Sequence, residues 1–327
     1  MTSAASFRDC FRNVDGVVVP VFFEEKYVRE ALNYKARPGD VFVATYPKCG
    51  TTWLQYIVWC LFNLDKLDGG VPNVYDIIQT IVPFIDRVCR LDGGVPNVYD
   101  IIQTIVPFID SVGIAPVISK TPPRPIKTHF SRGVVPYHPD AKYVVAVRNP
   151  FDSLVSFYHF CKATHEQYIS QLSFDEFFEH YVTGDMYWGS YFDHVLSWYE
   201  HRHDPNVCFV YYEDMLEDPA GHVMTIADFL EPSGAGCRLR DEPALLAKVV
   251  DLTSFHNLKK AAYEAKPEVD VAKLGWKSSH FRKGEVGDWR NYFTKEQEER
   301  LRKVFEEKLA GTEMKEVFVK YLDRVDE

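Results

Sequence analysis

Several things are missing from this chain, and each absence narrows what it can be. Its seven cysteines include no Cys-x-x-Cys pair and follow no regular spacing. That argues against a zinc site or a disulfide framework and for reduced thiols in a reducing compartment. Positive charge is in short supply: 37 Lys and Arg face 47 Asp and Glu, for a net charge of −10. A general nucleic-acid surface is therefore not expected. No stretch has the uncharged apolar length of a membrane span. The opening Met1–Asp9 lacks the apolar centre of a secretory signal. A cytoplasmic protein without membrane partners or a bound metal is the expectation.

What is present supports a large core. Of 327 residues, 46% are hydrophobic and 15% aromatic, enough for one large domain or two smaller ones. No clean linker interrupts the chain, so one domain over 1–327 is expected. Apolar, β-branched runs at Val41–Ala44, Pro125–Phe130, Tyr143–Val147 and Val207–Tyr212 read as buried strands. Helical spacing is found at Ser156–Phe160, Phe174–Tyr181, Trp188–Tyr199 and Glu296–Leu309. The alternation predicts an α/β fold with a central, mostly parallel sheet flanked by helices. Ligands of such folds lie beyond the carboxyl ends of the strands. Lys48, Thr128 with His129, and Arg148 each stand at or just past the end of an apolar run. Gly and Pro gather at Glu231–Gly236, which reads as a surface loop. The polar stretch Lys259–Ser279 reads as a mobile cover.

The most informative string is Thr45-Tyr46-Pro47-Lys48-Cys49-Gly50-Thr51-Thr52-Trp53. It lies between a strand and a helix, where free N–H groups and the helix dipole favour an anion. Lys48 adds a full charge, and Thr51 and Thr52 add hydroxyls. The loop is P-loop-like but not the nucleoside-triphosphate loop, which needs Lys directly after the last Gly, followed by Ser or Thr. Here Lys48 precedes Gly50 by two positions. An ordinary glycine turn opening a helix is the plain alternative.

This string resembles the 5′-phosphosulfate loop of the cytosolic sulfotransferases. Those enzymes move a sulfuryl group from 3′-phosphoadenosine 5′-phosphosulfate (PAPS) to a hydroxyl or amine and release PAP. The family usually carries Ser at Cys49, so a hydroxyl donor is lost here while backbone N–H groups remain. The resemblance extends over about Val41–Phe293. Pro125-Ile126-Lys127-Thr128-His129 is similar to the family's second catalytic segment, which makes His129 the base that takes the acceptor proton. Neutral imidazole suits that task near pH 7. Lys48 and Lys127 would stabilise charge on the departing phosphate oxygen. Arg148-Asn149-Pro150-Phe151-Asp152 with Ser156, and Arg282-Lys283-Gly284, resemble the two 3′-phosphate segments. The match assigns adenine to Trp53, Tyr212, Thr253 and Phe255.

Two departures stand out. Leu67–Asp86 recurs letter for letter as Leu91–Asp110, copies of 20 residues starting 24 apart. Two copies make no solenoid. With the same apolar face, they compete for one groove, on the side where the family builds its acceptor pocket. Removing one copy would bring the spacing of Lys48 and Lys127 nearer that of the family. The second departure concerns dimerisation. Many relatives form a homodimer through Lys-x-x-x-Thr-Val-x-x-x-Glu; here Arg290, Thr294, Lys295 and Glu299 stand there, with Lys295 in place of the apolar Val. The reading is a PAPS-dependent sulfotransferase acting on a small apolar acceptor such as a phenol, catecholamine or steroid. The alternatives are a PAPS- or PAP-binding protein without turnover and, less in keeping with the loop, a P-loop kinase.

Overall fold

A computed structural model describes residues 7–69, 106–164, 172–263 and 282–323. The chain opens with a hairpin of β1 (Phe11–Val14) and β2 (Val17–Pro20). Its Asp15-Gly16 turn has φ of 50° and 90°, the left-handed pair that suits the twist of a two-residue hairpin. The helix α1 (Glu25–Leu32) follows.

Four strands form the central sheet: β3 (Asp40–Thr45), β4 (Arg124–Thr128), β5 (Lys142–Val147) and β6 (Val207–Tyr211). All pairings are parallel, in the order β4-β3-β5-β6. The register β3 to β4 sets Asp40 opposite Arg124, and the two form a buried ion pair at 2.6 Å. Side chains alternate between the two faces, as the pleat requires. Val41 and Val43 pack with Leu54, Ile57 and Val58 of helix α2 (Thr51–Phe62) and with the Pro219–Leu230 helix. Phe42 and Ala44 point the other way, toward Tyr143, Val145 and Trp198. Phe42 stacks on Tyr143 with ring centroids 5.1 Å apart. Burial on both faces explains why these strands read as continuous apolar runs.

Element edges differ from the sequence reading in instructive ways. β4 stops at Thr128, because the N–H of His129 goes to Asp110 and that of Phe130 to Thr128 Oγ1 rather than to a ladder. Tyr212 belongs to the helix Tyr212–Glu217, not to β6. The helix expected from Trp188 begins at Tyr191 behind the Ser190 cap, since Trp188 and Gly189 have φ of 58° and 77°. The Ser156–Phe160 helix is part of a longer one, Pro150–Thr164. Capping boxes at Ser173 and Thr294 open the Phe174–Thr183 and Lys295–Lys308 helices. Pro232–Gly236 is a π-helical turn rather than an irregular loop. Lys259 lies in the helix Phe255–Tyr263, and the rest of the expected cover, to Ser279, falls outside the described residues apart from the end of that helix.

Of the duplicated segment, only 67–69 of the first copy and 106–110 of the second are described. Leu67 is buried against α2. The tail of the second copy docks beside β4: Lys127 N donates to Pro107 O at 2.8 Å, and Phe108 bridges to Lys127.

Candidate active site at the carboxyl edge of the sheet

All four strands of the sheet run in one direction, so their carboxyl ends share an edge. Lys48, His129, Arg148 and Tyr212 follow those ends directly. Gly50 caps α2 with φ 92°, and no side chain caps the helix. Its first N–H groups therefore stay available to an anion. A Cβ at Gly50 would stand 2.8 Å from the Tyr212 ring, so this turn requires glycine twice over. Lys48 also sits in the left-handed region, at φ 68°, a strain that tends to gather at functional sites. Thr51 and Thr45 join hydroxyls at 2.6 Å. Thr52 and Trp53 lie half-buried on the first turn of α2.

Cys49 turns away from the loop into the core. Its Sγ lies 3.6 Å from Ser153 Oγ and 3.8 Å from Pro47 O, and burial pushes the thiol up to about 12. A thiol suits this apolar niche, and its side chain takes no part in the loop's concave face.

His129 is buried. Its Nδ1 lies 2.8 Å from the carbonyl oxygen of Thr45. A carbonyl only accepts, so Nδ1 carries the proton and Nε2 keeps its lone pair. Burial, with help from Lys127, holds the ring's pKa well below its usual value, which keeps the imidazole neutral. Phe108 and Trp188 pack edge-on against the ring, with centroids at 5.0 and 4.8 Å.

Two lysines face this ring's surroundings. Burial pushes both ammonium groups down to about 7, with Arg148 and Arg282 adding to the effect on Lys48, and Lys48 to that on Lys127; Asp110 opposes it at Lys127. Lys127 Nζ lies 3.8 Å from the centre of the Phe108 ring, and Lys48 Nζ 4.6 Å from that of Phe160.

The cationic side of the site is tied together by backbone contacts. Arg148 donates from Nη1 to Lys48 O at 3.4 Å and from Nη2 to Glu285 O at 3.1 Å, and it stacks 4.5 Å over Tyr212. Asp152 accepts from the N–H groups of Gly287 (2.8 Å) and Trp289 (3.1 Å). That pins the 282–289 loop to the start of the Pro150–Thr164 helix, which also carries a half-buried Ser156. Arg282 and Lys283 share one carboxylate, Asp288. Burial works against that charge, yet Lys283, Asn291 and Arg282 hold its pKa below the usual value. Gly284, at φ 76°, comes so close to Phe255 that a Cβ would stand 2.5 Å from the ring.

The structure thus brings the assigned groups to one region, with Trp53 edge-on to Tyr212 at 5.8 Å and Phe255 beside Gly284. Thr253 is the weakest of them as a ligand. Its hydroxyl proton goes to Val249 O at 2.8 Å, at the carboxyl end of the Pro243–Leu252 helix. Trp53 Nε1, Arg148 Nε and Arg282 Nε are buried without a hydrogen-bond partner, a costly condition unless a ligand meets them.

Sequence reasoning missed Asp110, Trp188, Glu213 and Asp288. Glu213 accepts from Asn149 N (2.9 Å) and Nδ2 (2.8 Å), steadying the turn after Arg148, and burial pushes its carboxyl up to about 7. The carboxylates in Phe-Ile-Asp and Tyr-Glu-Asp were visible beside apolar residues. Their partners, far along the chain, were not.

The Sulfotransferase domain family matches residues 38–313. Human sulfotransferase 1C2 is 30% identical over 285 residues, covering 86% of either chain. Mouse sulfotransferase SULT7A1 complexed with PAP is 26% identical with a TM-score of 0.70, across 96% of this chain and 99% of that one. Retinol dehydratase in complex with retinol and PAP is 27% identical with a TM-score of 0.67, across 91% and 89%. The chain belongs to the sulfotransferase family.

Proposed function

We propose that the protein transfers the sulfuryl group of PAPS to a hydroxyl or amine of a small, flat apolar acceptor. One observation carries the reading: His129 has its proton held at Nδ1 by Thr45, the last residue of the strand that leads into the Lys48 loop. A base with its lone pair at Nε2 and an anion-binding loop therefore hang from the same strand end.

The residues present fit an adenosine bearing two phosphates. Three buried N–H donors without a protein partner, on Trp53, Arg148 and Arg282, lie among the residues assigned to it, while others, such as those on Arg37, Arg132, Arg202 and Trp289, lie outside that set. Gly50, Thr51, Thr52 and the backbone of Cys49 would cradle the 5′ side, and Arg148, Ser156, Arg282, Lys283 and Gly284 the 3′-phosphate. Trp53, Tyr212 and Phe255 would flank the base, with Thr253 near it. Bound PAPS supplies the sulfuryl group. The chain's own groups do the rest: His129 Nε2 takes the acceptor proton, and Lys48 and Lys127 offset the negative charge that grows on the phosphate side.

Phe23, Phe108 and Trp188 pack on one another near His129, an aromatic wall that suits a phenol, catecholamine or steroid. Among solved neighbours, one holds retinol beside PAP, which is in keeping with such a wall. We place the enzyme in the cytoplasm as a single domain over the whole chain. A dimer formed through that stretch would meet a Lys295 side chain that is 90% exposed and paired at 3.9 Å with Glu299, which weakens the family's dimer contact in this reading.

The test is a radiolabelled-PAPS screen across phenols, catecholamines, steroids and alcohols, with His129→Ala alongside. The variant should lose about 10²–10⁴-fold in kcat while binding PAP normally by isothermal titration. Undiminished turnover would remove His129 from the reaction.

A further inference from the structure

Three hydrogen-bond donors converge on Asp110, which is fully buried. Its Oδ1 accepts from Thr128 Oγ1 at 2.6 Å. Its Oδ2 accepts from the backbone N–H of His129 at 2.9 Å and from Trp188 Nε1 at 3.0 Å. The carboxylate therefore holds the backbone of the base and the indole packed on the base's ring.

Each of these partners has a further constraint. Trp188 stands at φ 58° and donates its own N–H to Val18 O at 2.7 Å. The carbonyl of His129 accepts from His194 Nε2 at 3.0 Å. His129 is thus fixed through its backbone N–H, its carbonyl and its ring Nδ1, which leaves Nε2 as the nitrogen with no assigned partner in this set.

We propose that Asp110 is the positioning residue of the catalytic base, and that the second copy of the duplicated segment supplies it. The proposal rests on the sulfuryl-transfer reading for its kinetics, but its geometry stands without it. A base misplaced by an ångström loses about 10²-fold even when binding is intact. The first copy ends in the same Pro-Phe-Ile-Asp, at Asp86, which provides a control of identical local sequence.

The experiment compares Asp110→Ala, Asp110→Asn and Asp86→Ala in the full chain, using the best acceptor of the wild type. Asp110→Ala should lower kcat about 10–100-fold with the PAP dissociation constant and the PAPS KM within about twofold. Asp110→Asn keeps an oxygen for the His129 and Trp188 donors, and its amide can donate to Thr128 Oγ1, so it should recover most of the loss. Asp86→Ala should match wild type. The assignment is overturned if Asp110→Ala keeps wild-type kcat, if PAP affinity falls in step with kcat, or if Asn is no better than Ala.

Side-chain ¹⁵N NMR of the PAP-bound protein separates this from the reaction itself. The His129 signals should move in Asp110→Ala and stay in Asp86→Ala. If the wild type turns over no acceptor, the sulfuryl-transfer reading falls while this shift still decides the role of Asp110. Unmoved His129 signals would refute the positioning role.

Discussion

Lys48 and Lys127 carry ammonium groups whose pKa lies near 7 instead of 10.5, chiefly because burial disfavours the charge. An anion bound between them favours the charge again, so the complex holds more protons than the free protein at pH 7 and above. Binding of PAP should take up protons, and affinity should fall as pH rises from about 7 toward 9. Titrations at pH 6.5, 7.5 and 8.5, each in two buffers of different ionisation enthalpy, would show both effects. A dissociation constant that stays flat over this range would contradict the assignment. The same two groups act on folding with the opposite sign. Between about 7 and 10.5 the unfolded chain binds more protons at these positions, so their contribution to stability rises with pH across that window. Both lysines were legible in the sequence, Lys48 just past the end of an apolar run and Lys127 inside one, where a buried cation needs a reason, each within a motif that resembles the family's. Asp110, which offsets Lys127, was not: its donors come from positions 128, 129 and 188, and no local pattern links them.

At the scale of elements, the site is assembled by loops that lean on one another. The 282–289 loop leans on Asp152, the turn after β5 on Glu213, and the turn before α2 on the Tyr212 ring. Two glycines mark where this leaning is closest. Gly284→Ala would force a left-handed residue, at about 1–2 kcal/mol, and a Cβ 2.5 Å from Phe255. We expect PAP affinity to drop about tenfold or more, a loss of about 1.4 kcal/mol or more, with kcat at saturating PAPS nearly unchanged. Thermal melting and titration would check it, and unchanged affinity would separate Gly284 from the nucleotide. The strand cores were readable because a parallel sheet covered on both faces produces uninterrupted apolar runs. The edges were not, since β4 ends where Asp110 captures an N–H and the Tyr191 helix starts late because Trp188 is held in a left-handed turn. Both outcomes are decided by tertiary contacts. The β1–β2 hairpin escaped notice for a different reason: each strand is only four residues long.

Across the whole molecule, the nucleotide side and the acceptor side draw on different parts of the chain. Every residue assigned to the nucleotide lies outside 67–110. In the proposed arrangement, the acceptor wall takes Phe108, and the base its support from Asp110, from within it. Because the copies are identical, removing any 24-residue window that spans one unit yields one and the same shortened protein. That protein should bind PAP within about threefold of the full chain, a difference under 1 kcal/mol, while acceptor KM values move. Titration and steady-state kinetics on the two forms would show it, and a large loss of PAP affinity would mean that the halves are not separable. The repeat was plain in the sequence. Which copy meets the base was not, since two identical strings carry no local difference, and the docking of the second is visible only through tertiary contacts, among them those with Lys127, Thr128, His129 and Trp188.

Trp188 and Trp53 also give two parts of the proposed site separate chromophores. One indole rests against the imidazole, the other against the Tyr212 ring. With the chain's other four tryptophans replaced by phenylalanine, and either Trp188 or Trp53 kept as the single emitter, the first should respond to acceptor and the second to nucleotide, so the order in which the two substrates arrive can be followed optically, without waiting for product.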